Sequence, residues 1–258
     1  MRITLLFLAL PLIFLSSCAR YYYKPNAVNS PLFTKGGQAH VSIAGGIGSG
    51  NDNEEDRTTF ADLQASFSPI NHLGFIGSYS TFSYRPYTPD AASGHVSANA
   101  HLVEGGVGGY YASGGRKVKM VAELYVGGGV GKISSDVDMD VTRYFVQPGI
   151  GMRSPWVEAV FNLRWVSLNY SHLDDNGRGN TYLLDHQLVD IYNRGITKGN
   201  FIFVEPALTI RGGYKFIKVQ LQLVGALPVS VVPWNYNGTR YTVGLQFAVE
   251  DLLEMAKP

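Results

Sequence analysis

The chain has 258 residues, a formal net charge of +1 and 16% charged residues, with 30 glycines, 16 tyrosines and one cysteine. Near-neutral charge removes the electrostatic case for nucleic-acid binding, and a single cysteine excludes an internal disulfide. After residue 17 no apolar run is long enough for a membrane helix, so any insertion into a bilayer has to be by strands.

Residues 1–17 read as a lipoprotein signal peptide. Arg2 supplies a positive start and Ile3 to Leu15 an apolar run too short to span a bilayer. Leu15-Ser16-Ser17-Cys18 then resembles the lipobox of bacterial lipoproteins, in which the cysteine thiol is diacylated and the peptide before it is removed. Cys18 is therefore the expected lipidation site, with outer-membrane lipid as the expected partner. Ala19 in place of Asp after the cysteine favours, by the same resemblance, passage to the outer membrane. Residues 18–36 contain Tyr21-Tyr22-Tyr23-Lys24-Pro25-Asn26 and Ser30-Pro31, and they form an extended arm interrupted by prolines. The expectation is a tether from lipid to barrel with Tyr21, Tyr22 and Tyr23 at headgroup level; the alternative is a contact for a partner protein.

From residue 37 to 250, about ten stretches alternate between apolar and polar residues, the period of a strand. Gln38 to Ser49 sets Val41, Ile43 and Ile47 against His40 and Ser42, and Thr58 to Ser68 sets Leu63 and Phe67 against Asp62 and Gln64. His72 to Tyr84, Ala98 to Ala112 with Glu104, Lys117 to Ile133 with Glu123, and Val141 to Arg153 follow. The clearest is Trp156 onward: Val157, Ala159, Phe161, Leu163 and Trp165 share one face, and Trp156, Glu158, Val160, Asn162 and Arg164 the other. Asn200 to Tyr214, Phe216 to Leu227 and Thr239 to Val249 complete the set. Connections alternate in length. Pro69-Ile70-Asn71, Ser113 to Arg116, Ser154-Pro155 and Tyr214-Lys215 are tight, whereas Gly50 to Arg57, Arg85 to His95, Ser134 to Asp140, His172 to Gly199 and Pro228 to Gly238 are long and polar.

These features predict an all-β fold, a transmembrane up-and-down antiparallel β-barrel of about ten strands with short periplasmic turns and both termini periplasmic. Residues 251–258 form a short tail. The mature chain resembles the outer-membrane β-barrel lipoproteins common in Bacteroidota. The likeness is carried by Cys18 with its arm, Tyr144-Phe145-Val146-Gln147-Pro148-Gly149-Ile150-Gly151, Phe203-Val204-Glu205-Pro206-Ala207-Leu208 and Gln220-Leu221-Gln222-Leu223. The resemblance implies architecture and location rather than an activity.

Inside such a barrel, Asp62, Glu104, Glu123, Glu158 and Glu205 share a lumen with Arg153, Arg164 and Arg211, and the expectation is a network of ion pairs that fills it. A narrow ion path is the alternative. His40 and Ser42 lie on one face, but no acid at a diagnostic spacing and no nucleophile elbow accompanies them, so no catalytic residue is assigned. The remaining histidines have no metal-ligand spacing, and neither a metal nor another cofactor is expected. Asn51 to Asp56 and Asp174-Asp175-Asn176-Gly177 are oxygen-rich without the spacing of a calcium loop. Leu184, Leu188, Ile191 and Tyr192 fall at helical spacing before Gly195, which predicts a short amphipathic helix capping the barrel or docking another outer-membrane protein. The function expected is non-enzymatic, as a structural or accessory component of an envelope complex. A soluble-type barrel tethered by lipid alone and binding an envelope ligand, and a narrow solute pore or lumenal lipid-modifying enzyme, are the alternatives.

Overall fold

The computed structural model describes residues 22–49, 57–85, 97–115, 117–189, 195–214, 216–232, 234, 236 and 238–251. Its strands are β1 (Gln38–Ser49), β2 (Arg57–Ser68), β3 (Leu73–Arg85), β4 (Ala98–Gly114), β5 (Lys119–Ser134), β6 (Asp138–Arg153), β7 (Val157–Asp174), β8 (Asn200–Tyr214), β9 (Ile217–Gly225), a two-residue β10 (Leu227–Pro228) and β11 (Thr239–Ala248). Each of β1 to β8 pairs antiparallel with its neighbour in sequence, β11 lies between β1 and β9, and β9 pairs back onto β8. The result is a closed ten-stranded up-and-down antiparallel barrel, with β10 added to the upper part of β8 at Val204 and Phe203.

The alternation in the sequence becomes the two sides of the wall. Val41, Ile43, Leu63, Leu124, Ile150, Phe161, Ile210, Leu221 and Val243 are exposed on the outside, while Gln64, Gln147, Asn162, Thr209, Gln220 and Gln246 are buried in the lumen. A soluble protein has the reverse polarity. Three boundaries differ from the sequence reading. Trp156 belongs to the turn before β7, where the pleat has not begun, so it stays outside against Tyr214 at 4.7 Å instead of pointing inward with Glu158. The stretch Ser134 to Asp140 is no long loop: β5 and β6 extend until only Ser135–Val137 connects them, because Val137 and Met139 find apolar cover. β9 stops at Gly225 and pairs only with Ala207–Tyr214 of β8, below Pro206, which has no N–H to offer the ladder.

The arm is the largest departure from expectation. Tyr22, Tyr23, Asn26, Val28, Ser30, Leu32 and Phe33 are all buried, and they run inside the barrel instead of lying at a headgroup level outside it. The physical reason is that the inward walls present carboxylates, guanidiniums and amides that a thread of backbone and small polar groups can satisfy. At the turn end the chain leaves the lumen, and Gly36 donates its N–H to Asn71 Oδ1 at 2.7 Å. There it packs directly on the Ile70 and Asn71 backbone, where a Cβ would lie 2.8 Å from Asn71 N. At the opposite end Tyr22 donates to Asp136 in the β5–β6 turn at 2.7 Å. The described chain thus begins at the loop mouth and ends, past β11, at the turn mouth. The alternation of loop lengths predicts both ends at one mouth.

Inward glycines give the arm its room. A Cβ at Gly74 would lie 2.7 Å from the Tyr125 hydroxyl and 3.2 Å from the Phe33 ring, and one at Gly151 would lie 3.0 Å from Leu32 Cδ2. Gly151→Leu is expected to destabilise the barrel by about 1–3 kcal/mol through overpacking. Gly105→Ala, with nothing within 4 Å of its Cβ, should not destabilise. Urea midpoints of the detergent-folded proteins check both.

Candidate functional site

Among the described residues polar side chains are concentrated in the lumen, and the arm is its axis. At mid-height β8 supplies Glu205, which accepts from Arg143 Nη2 of β6 at 2.6 Å, Arg164 Nε of β7 at 2.7 Å and the Tyr23 hydroxyl of the arm. Glu104 of β4 lies 3.1 Å from Arg143 Nε and 3.6 Å from Arg164 Nη1, and it accepts from the Asn26 amide. The Asn26 carbonyl group in turn accepts from Arg143 and, at 2.8 Å, from Arg164 Nη2. Two carboxylates and two guanidiniums therefore close a neutral cluster around one asparagine. With Arg143 and Arg164 only 1% and 2% exposed, each charge depends on this cluster for its solvation.

A second group lies toward the turn end. Glu158 of β7 contacts Arg153 Nε at 3.1 Å, Arg211 Nη1 at 3.2 Å and Lys218 Nζ at 2.5 Å. Arg211 also donates to the Ser30 carbonyl at 2.8 Å, and Arg153 to the Leu32 carbonyl at 3.1 Å. Glu123 is held differently from the expected ion pair: its donors are the Ser30 hydroxyl, Leu32 N–H at 3.2 Å and Asn162 Nδ2 at 3.5 Å, all neutral. In a third group Asp62 accepts from Ser80 at 2.6 Å and Arg240 Nη2 at 2.5 Å. Arg240 reaches the Pro25 carbonyl at 3.2 Å and stacks over Phe60, whose ring also carries the Lys24 ammonium at 4.2 Å. All eight sequence-predicted lumen residues thus face inward, in three groups rather than one network. Arg143, Lys218 and Arg240 complete those groups and were missed, although each shares the inward parity of Gln147, Gln220 or Thr242 on its own strand.

The loop mouth is covered by an apolar lid. Trp234 meets Tyr22, Tyr170 and Phe201 edge-on at 6.3, 5.6 and 5.3 Å, and Tyr23 stacks on Phe203 at 4.3 Å. Helix α1 (Gly179–Asp185) lies earlier than the periodicity predicts. Gln187 adopts φ +58° and the helix ends there, with Leu188 N–H bonded to the Leu183 carbonyl at 2.9 Å and Gln187 N–H to the Leu184 carbonyl at 3.1 Å. Leu188 is then fully buried in the lid and Leu184 half-buried, so neither offers the free face expected of a partner contact. Ile191, Tyr192 and Tyr21 lie outside the described residues, as do Cys18 and the acidic Asn51 to Asp56. Asp174 and Asp175 accept the backbone N–H groups of Asn176, Gly177 and Gly179, which makes them turn-forming residues.

At the turn mouth Glu250, just past β11, clasps the start of β1. It accepts from Gln38 Nε2 and Ala39 N–H at 3.0 Å each and lies 3.3 Å from His40 Nε2. His40 faces Glu250, while Ser42 donates to Gln64 at 3.1 Å, so the two are not joined as base and nucleophile. No protein-family model matches the chain, and no curated protein matches it.

Glu205→Gln would leave Arg143 and Arg164 sharing one carboxylate, and it is expected to cost about 3–5 kcal/mol in urea unfolding. Substituting the exposed Arg85 by alanine should cost within about 0.5 kcal/mol. Burial opposes ionisation of Glu250, but the hydrogen bond and charge of His40 and the Ala39 N–H outweigh it and hold the carboxyl at about 2. A depressed carboxyl stabilises above its unfolded value near 4.5 and loses that contribution as pH falls toward about 2. The stability difference between the wild type and Glu250→Gln should therefore fall away as pH drops from about 4.5 toward 2, as read from urea midpoints across that range.

Proposed function

We propose that the protein is a lipid-anchored outer-membrane β-barrel, of the kind the sequence resembles in Bacteroidota. Its barrel is sealed by its own arm, and it acts without catalysis as a structural or accessory component of an envelope complex. The observation that carries this reading is the outer surface. Phe67, Phe75, Tyr111, Trp156 and Tyr214 ring the barrel within a few residues of the tight turns, and a second aromatic row is formed by Tyr79, Tyr144, Trp165 and Tyr241. Between the rows the outward positions carry no charged or amide side chain: they are aliphatic or aromatic residues with glycines and prolines such as Gly77, Pro148 and Pro206 among them. Past the second row they include Ser83, Asn99, His101, Lys132, Asp140 and Asn169. From Trp156 to Trp165, nine residues at about 3.4 Å each and a tilt near 40° rise roughly 23 Å, close to the ~25 Å apolar band of outer-membrane barrels.

The filled lumen supports an accessory role over transport, since arm and side chains occupy the interior and bond to one another. Among the described residues no helix is long and apolar enough to cross a membrane, so the strands are the candidates for the crossing.

Two measurements test the reading. A Cys18→Ser form should stay in the membrane fraction after carbonate washing and migrate differently in SDS gels before and after boiling. Release by carbonate would favour attachment by lipid alone. In planar bilayers the intact protein should be electrically silent, whereas a folded form lacking residues 22–33 should conduct.

A further inference from the structure

We infer that the chain's N-terminus emerges from the barrel on the loop side, at the opposite face of the membrane from its C-terminus, so that Cys18 and its lipid lie on the loop side of the barrel. This rests on the membrane reading above and goes beyond it, because a lipoprotein barrel whose first strand starts at the turn mouth would ordinarily be anchored on that side.

The path of the arm carries the inference. Gly36 is fastened at the turn mouth by Asn71, Ser30 donates to Glu123 one level higher, Asn26 sits in the mid-height cluster, and Tyr22 reaches Asp136 at the loop mouth. These contacts appear in order, so the arm runs the full height once without doubling back. Extended, residues 22–36 reach roughly 50 Å, while a 16-residue strand such as β5 tilted by about 40° stands roughly 40 Å tall. The length suffices for one passage.

From Tyr22 onward the geometry leaves one side open. Cys18 precedes Tyr22 by four residues, which span at most about 14 Å. Ten strands about 4.8 Å apart at that tilt enclose a radius of roughly 10 Å, so the anchor can clear the rim at the loop mouth. It cannot reach the turn-side leaflet: that lies about 40 Å away through a lumen the arm already fills. With the tight turns periplasmic, the anchor is on the outer face of the cell. A further consequence concerns assembly. An acylated end cannot be drawn through a filled lumen, so the strands close around the arm.

The test uses the full-length protein with an epitope placed singly after Ala19, at the exposed Gly177 turn of the β7–β8 connection, or after Pro258. Each form is first checked for heat-dependent gel migration, which separates misfolding from misplacement. Antibody is then applied to intact and permeabilised cells. The inference expects the Ala19 epitope to be labelled under the same conditions as the Gly177 epitope, and the Pro258 epitope under the opposite ones. An Ala19 epitope that follows Pro258 instead, with Gly177 opposed, overturns the threading and leaves the membrane reading intact. Carbonate release of the Cys18→Ser form overturns both, and fractionation reads that outcome independently of the epitopes.

Discussion

Charge facing a closed lumen has to be answered inside that lumen, and the rest of this structure follows from it. The walls of a narrow barrel bring Glu104, Glu205, Arg143 and Arg164 within reach of one another, but strand geometry alone does not satisfy all of their lone pairs and protons. Asn26 supplies part of what is missing by offering donor and acceptor at once, to Glu104 on one side and to both guanidiniums on the other. The backbone carbonyls of Pro25, Ser30 and Leu32 accept hydrogen bonds from Arg240, Arg211 and Arg153 in the same way. The arm therefore behaves as an eleventh inner element made of polar backbone, and the walls and the arm are each incomplete without the other.

That dependence shapes the wall as well. Gly74 and Gly151 face inward where Phe33 and Leu32 pass, and Gly36 lets the chain turn from lumen to first strand against the Ile70–Asn71 backbone. At the far end Tyr22 joins an aromatic lid of Trp234, Tyr170 and Phe201, so the arm is held by hydrogen bonds along its length and by apolar packing at its tip. At the near end the Glu250 clasp fastens the last strand to the first.

A lumen filled this way leaves little interior for chemistry or passage. Biological work on the proposed reading is left to the surfaces outside it: the loop mouth and the segment before Tyr22. The apolar outer belt is bounded by aromatic rows on both sides, and polar residues such as Asn99, Lys132 and Asp140 lie above the second row.

Much of this was legible in the chain itself, because side-chain direction in a strand alternates with period two and depends only on local order. The barrel class, the strand limits within a few residues, the outward apolar face and the inward position of Asp62, Glu104, Glu123, Glu158, Arg164, Glu205 and Arg211 all follow from that period. The same parity contained Arg143, Lys218 and Arg240. What local order could not convey was the partner of each inward group. Tyr23 meets Glu205 and Asn26 meets Arg143 across separations of 182 and 117 residues, and an extended arm interrupted by prolines has the same local pattern inside a barrel as outside it. The end of α1 was hidden for a related reason, since Gln187 takes the left-handed position usually marked by glycine. Local alternation set the two faces of every strand. Only closure of the wall, which brings distant charges around one axis, decided that the arm lies within it.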